Sequence, residues 1–161
     1  MKLFNRFAGD DRGSMLIETA FVVPILVGMT LGGVEVGSMF ARQTELQTIA
    51  SNAMEIVLTS TPKTEQEGAE TIAQVKAYMA EQSGLAVAQG ITPEIGEVAV
   101  YRRYRCGNNS QRQAENGCAN ASQTLSAFVV IHLRDTYSPV WTNYGIGSEF
   151  TYNVKRTVQI G

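Results

Sequence analysis

Between Met15 and Phe40 the chain reads MLIETAFVVPILVGMTLGGVEVGSMF, with no lysine or arginine anywhere in it. A helix needs about 20 apolar residues to cross a bilayer core, so this run is long enough for one membrane-spanning helix. A secretory signal peptide would have an apolar core of about 7–15 residues followed by a small-residue cleavage site. This run is longer, is interrupted by Glu18 and lacks an A-x-A-like end. It holds two acids, Glu18 and Glu35. A carboxylate near the bilayer centre costs about 2.5–3.5 kcal/mol on insertion scales, so such an acid is by default a functional residue.

The flanks set the orientation. Lys2, Arg6 and Arg12 precede the run, and the nearest base after it is Arg42. The positive-inside rule then puts the N-terminus in the cytoplasm and the rest of the chain outside. The expected organisation is a processing segment at 1–13, a transmembrane helix at 14–40 and an extracytoplasmic head at 41–161. About 120 residues remain for the head, an ordinary small-domain size. The net charge of −2 carries no electrostatic footprint for nucleic acid. Asp10, Asp11 and Asp135 are the only aspartates, which argues against a carboxylate-rich calcium loop.

The helix need not stop at Phe40. Leu46, Ile49, Ala50, Ala53, Met54, Val57 and Leu58 recur at spacings of three and four, with Arg42, Gln43, Glu45, Gln47, Asn52 and Glu55 on the other side. That amphipathic stripe predicts one rod from about Met15 to Leu58, continuing through 41–59 into the head. At 1.5 Å per residue the rod is about 65 Å long. Pro62 ends it by disfavouring helical geometry at the residue before. A second helix is expected over Thr64 to Gln82, opened by a Thr64–Glu67 capping box and stopped by Ser83-Gly84.

Beyond Gly90 the period changes to two. EVAVYRRYR (Glu97–Arg105) predicts a strand with Val98 and Val100 on one side and Tyr101 on the other. Gly107–Gln123 predicts a polar exposed loop. Leu125–Leu133 is apolar at nearly every position, as a central strand is. Tyr137–Trp141 is expected to be a connection opening a short edge strand, where proline is tolerated. Glu149–Ile160 alternates as a half-buried strand does, with Arg156 breaking the apolar side. Helices followed by strands predict an α+β head in which the outer half of the long helix packs on an antiparallel sheet of three or four strands.

Few residues suggest chemistry. Cys106 and Cys118 fall in the exported half and can oxidise to a disulfide worth roughly 3 kcal/mol, the alternative being two unrelated thiols. Gly28-x-x-x-Gly32 and Gly33-x-x-x-Gly37 put small residues where another helix could approach, although glycine is common in membrane helices generally. Pro24 removes one backbone donor and is expected to bend the helix. His132, the single histidine, lies mid-strand and is expected to be structural. Arg102, Arg103 and Arg105 beside Tyr101 and Tyr104 form a basic stripe, a solvated strand face before it is a nucleic-acid site. No nucleophile elbow, P-loop or His-Glu helix motif occurs, so no enzyme, cofactor or metal is expected.

Arg12-Gly13 before the apolar run, Glu18 five residues after the glycine, Pro24, Gly33, Glu35-x-Gly37, and then Ala50 and Ala53 resemble the N-terminus of the TadE-like family. These are pseudopilins, or minor pilins, of the bacterial tight-adherence (Flp, type IVc) pilus machinery. Tyr101-x-x-Tyr104-x-Cys106 and the closing alternating strand are similar to the family in outline. Thr19 departs from it, standing where many relatives carry an aromatic or other apolar residue. The resemblance implies a prepilin leader cut by a prepilin peptidase between Gly13 and Ser14, and a pilin-like fold. It also implies single-pass residence in the inner membrane with the head periplasmic. Implied partners are other pilins and the inner-membrane assembly platform.

Cleavage would create an α-amine at Ser14, and pairing it with Glu18, its own or a neighbour's, would relieve two charges costly in lipid. Glu35, about 26 Å further along the helix, is either a snorkelling interfacial acid or a partner contact. Two other readings stay open. One is a type II secretion pseudopilin; the other is a single-pass membrane protein whose head binds a ligand or partner, with no filament role. A secreted protein released by signal cleavage would begin near Arg42.

Overall fold

The computed structural model describes residues 11–60, 65–108, 112–113, 118 and 122–160. Helix α1 covers Asp11–Ser60 and helix α2 Glu65–Ser83. Strands follow at β1 Ala86–Val87, β2 Glu97–Cys106, β3 Arg112–Gln113, β4 Leu125–Tyr137 and β5 Phe150–Gln159. The chain divides into two compact units, Met1–Phe40 and Ala41–Gly161.

In the first unit α1 continues through Pro24. The second unit is α+β, as the order of helices and strands predicts. Its sheet runs β1-β2-β4-β5, with β3 paired to β2. The β2–β4 ladder pairs Glu97 with Arg134 through to Cys106 with Leu125, and the β4–β5 ladder pairs Phe128 with Gln159 through to Tyr137 with Phe150; both are antiparallel.

Three details differ from expectation. The sheet is mixed, because β1 runs parallel to β2, with Ala86 opposite Glu97. The Ala86 amide donates to the Gly96 carbonyl and the Ala88 amide to Val98, each at 2.9 Å. The segment between the two strands, with Pro93 buried in it, returns the chain to the start of the sheet, whereas a tight hairpin would have made the pair antiparallel. Within the polar loop, Arg112–Gln113 pairs with Tyr104–Arg105. The third difference is Val140–Tyr144, a 3₁₀ helix and not an edge strand. The Thr142 amide donates to Pro139 O at 3.0 Å, and left-handed Gly145 (φ 73°) closes the turn with its amide on Thr142 O.

The stripe on α1 does what its spacing demands. Leu46, Ile49, Ala50, Ala53 and Val57 are buried in one core with Val75 and Met79 of α2, Val98 and Val100 of β2, Val129, Ile131 and Leu133 of β4, and Tyr152 and Val154 of β5. Met54 packs at its margin, while Leu58 is 49% exposed and falls outside it. Alanines at 50 and 53, both fully buried, keep that face of the helix thin where it meets the core. At the end of α2, Gly84 takes φ 70° and donates to the Ala80 carbonyl at 3.0 Å. Ser83 there donates to Met79 O at 2.6 Å and accepts from the Leu85 amide at 3.2 Å. Thr64 and its capping box lie outside the described residues.

Candidate functional site

The first unit is a helix with its apolar side chains bare. Met15, Phe21, Met29, Leu31 and Phe40 are all more than 60% exposed, and none of the most apolar stretch is buried. The core helix of a water-soluble domain would be mostly covered, so this helix needs lipid or other helices around it. Its hydroxyls are satisfied internally. Thr19 donates to Met15 O and Thr30 to Leu26 O, each at 2.7 Å, and Ser38 to Val34 O at 3.0 Å. That arrangement suits a medium offering no hydrogen bonds.

Among the other predicted site residues, Gly13 and Ser14 lie within α1, while residues 1–10 of the leader lie outside the described residues. Glu18 is exposed and makes no hydrogen bond or ion pair among the described residues. Glu35 is half-buried. Gly28, Gly32, Gly33 and Gly37 each have open space where a Cβ would project, so the helix surface is clear at all four.

In the head, Cys106 and Cys118 form a disulfide across the polar loop, with Cα atoms 5.5 Å apart. His132 Nε2 lies 2.7 Å from Asn153 Oδ1 on the neighbouring strand, the structural role expected of it. The basic stripe splits between the two sheet faces. Arg103 stacks over Tyr101 at 5.5 Å and Arg105 over Phe128 at 5.1 Å. Arg102 turns to the helix side, where its guanidinium occupies the space a side chain at residue 68 would need; a Cβ there would lie 1.0 Å from Arg102 Nη2. Gly68, which looks in the sequence like a flaw in the first turn of α2, is the seat of an arginine.

No sequence pattern points to the cluster around Arg42. Its Nε and Nη2 both reach Asp135 Oδ2 at 2.8 Å, Nη2 also donates to the Ser83 carbonyl at 2.8 Å, and Nη1 reaches Glu45 Oε2 at 2.9 Å. One guanidinium thereby joins α1, β4 and the last carbonyl of α2, that of Ser83, which a helix end leaves without a partner in its own helix. Burial alone would lower the Arg42 pKa; hydrogen bonds to Glu45 and Asp135, and their charges, outweigh it and hold the group above its usual value. Burial also pushes the Tyr152 phenol up, and the negative charge of Asp135 adds to this. In the sequence Arg42 stood out only as the first base after the apolar run. Nothing there could connect it to Asp135, 93 positions away.

Beside β5 lies a cleft of about 320 Å³ lined by Gln43 and Gln47 of α1 and residues of the strand, among them Phe150, Asn153, Lys155 and Arg156. Among the described residues no group of three or more His, Cys, Asp or Glu side chains is placed to hold a metal ion.

A spanning-length exposed apolar helix followed by a compact α+β head is compatible with a chain anchored in a membrane by its N-terminal helix. Residues 13–54 match the family model described as TadE-like protein, which is the family the sequence resembles. The match takes in Gly13, Glu18, the four helix glycines and the first part of the core stripe. No curated protein and no solved structure matches the chain. The TadE-like segment coincides with the exposed apolar helix.

Proposed function

We propose that the protein is a pseudopilin or minor pilin of the tight-adherence pilus, acting in pilus assembly and thereby in surface adhesion. A prepilin peptidase cuts between Gly13 and Ser14 on the cytoplasmic side, and the mature protein sits in the inner membrane with its head in the periplasm. The apolar helix then leaves lipid for a bundle of like helices in the fibre, and the inner-membrane platform drives that transfer. The observation that carries this reading is the TadE-like match at residues 13–54, coinciding with an uncovered apolar helix whose Glu18 has no partner among the described residues.

An unpaired carboxylate on a lipid-facing surface is costly until a cation meets it. The α-amine released at Ser14 is such a cation, and the amine of a neighbouring subunit would fix axial register as well as charge. The four clear glycine positions allow helices to approach closely at that register. The test is complementation of a deletion strain. Wild-type protein should restore sheared surface fibres and Glu18→Ala should not, although both are processed and inserted. Full piliation by the Glu18→Ala protein would refute the pairing. Full piliation in the deletion strain itself would favour a single-pass protein with no filament role.

A further inference from the structure

We infer that the outer edge of β5, with the cleft beside it, is a docking site for an extended acidic peptide segment of a partner protein, taken up as an additional strand. This rests on the head alone and does not require the N-terminal processing proposed above.

The backbone geometry comes first. β5 ends the sheet, and among the described residues no strand pairs with its outer side. The Ile160 amide donates to Ala127 O at 2.9 Å, and alternate residues of an antiparallel ladder face the same neighbour. Residues 150, 152, 154, 156 and 158 therefore face β4. The main-chain groups of Thr151, Asn153, Lys155 and Thr157 face away from it. A regular strand of 10 residues with one such open edge is a template for strand addition, the mode in which main-chain bonds give affinity and flanking pockets give selectivity.

The side chains select the occupant. Lys155 and Arg156 are exposed and take part in no ion pair among the described residues. The cleft alongside is lined by the Gln43 and Gln47 amides and contains no carboxylate. Because successive side chains alternate, Lys155 stands on the open face of the sheet and Arg156 on the helix side, next to the two glutamines. An incoming antiparallel strand with two consecutive acids would meet both cations, one on each face. Small apolar residues flanking the inner acid would lie opposite Val154 and Val158.

A second copy of β5 is a poor occupant. Antiparallel self-pairing centred on Lys155 sets that ammonium against its own copy, and pairing centred on Arg156 does the same for the guanidinium; like charges directly opposite are destabilising. In those two registers the cations oppose self-pairing, while an acidic strand meets no such repulsion.

The test uses the full chain in detergent micelles and the labelled peptide acetyl-Thr-Val-Thr-Asp-Glu-Val-Thr-amide, read by fluorescence anisotropy and by amide hydrogen exchange. Saturable binding with Kd below about 1 mM is expected, with new protection at residues 153, 155, 157 and 159. The double variant Lys155→Glu with Arg156→Glu should weaken binding by about tenfold or more. Thr157→Pro removes only an outward amide, so it should keep the fold and abolish binding. A peptide N-methylated at alternate residues should also fail. No saturable binding to the wild-type chain overturns the inference. So does binding that Thr157→Pro and N-methylation leave unchanged, which would mean charge attraction without strand addition.

Discussion

Replacing Arg42 with alanine should destabilise the head far more than an arginine 25% exposed at its side chain would suggest. The loss falls in three places. Asp135, with its side chain 14% exposed, loses one charge-assisted hydrogen bond and one ion-pair contact, each at 2.8 Å. The Ser83 carbonyl loses its donor, and Glu45, 51% exposed, loses a contact worth about 0–0.5 kcal/mol at the surface. Hydrogen bonds to charged groups contribute about 1.5–3 kcal/mol each when buried. Breaking a fully buried pair costs about 3–5 kcal/mol. The remaining solvent access lowers that, so about 2–3 kcal/mol is expected for Arg42→Ala. For a head of this size that corresponds to a fall in Tm of about 6–15 °C.

The assay is thermal unfolding of the full chain in detergent, followed through Trp141 fluorescence and the sheet signal in circular dichroism. Arg42→Lys should recover only part of the loss, because an ammonium cannot bridge the carboxylate and the helix carbonyl as the planar fork does. A double-mutant cycle with Asp135→Asn should show a coupling of about 1–3 kcal/mol. Loss below about 0.5 kcal/mol for Arg42→Ala, or strictly additive effects in the cycle, would refute the idea that one guanidinium joins the three elements.

Other consequences follow from single observations. Replacing both Cys106 and Cys118 with serine should cost roughly 3 kcal/mol by denaturant unfolding under non-reducing conditions, and reductant should lower the wild type by the same amount. Gly68→Ala should fail to give the gain of about 0.8–1 kcal/mol that helix propensity alone predicts, because its Cβ displaces the Arg102 guanidinium. In an Arg102→Ala background the same substitution should recover that gain. Gly13 replaced by a bulky residue should block maturation, seen as a heavier band on a denaturing gel, and normal maturation would count against the proposed scissile bond.

The parts legible in the sequence are those governed by short-range periodicity. The α1 stripe from Leu46 to Val57 identified the buried face of the helix, and the alternation after Glu149 gave the inward set of β5. The helix stop at Ser83-Gly84 followed from glycine's access to left-handed backbone. What stayed hidden depends on pairing across long separations. β1 is two residues long, and only its neighbour Val98 shows which way it runs. Val140–Tyr144 carries an apolar, proline-led composition that suits an edge strand, yet the hydroxyl and amide of Thr142 both bond Pro139 O and coil it into a 3₁₀ turn. In the sequence alone Gly68 is a weak helix position and Arg102 part of a basic stripe. Their contact exists only because α2 packs on β2. At the N-terminus the order is reversed: Gly13, Glu18 and the apolar run are plain in the sequence, and folding adds that the helix carrying them is left uncovered.

The most direct test is the intact mass of the native protein extracted from membranes. A mature chain that begins at Ser14 and keeps the apolar helix is the expected result. A polypeptide that still carries residues 1–13, in cells whose fibres assemble normally, would contradict the pseudopilin reading.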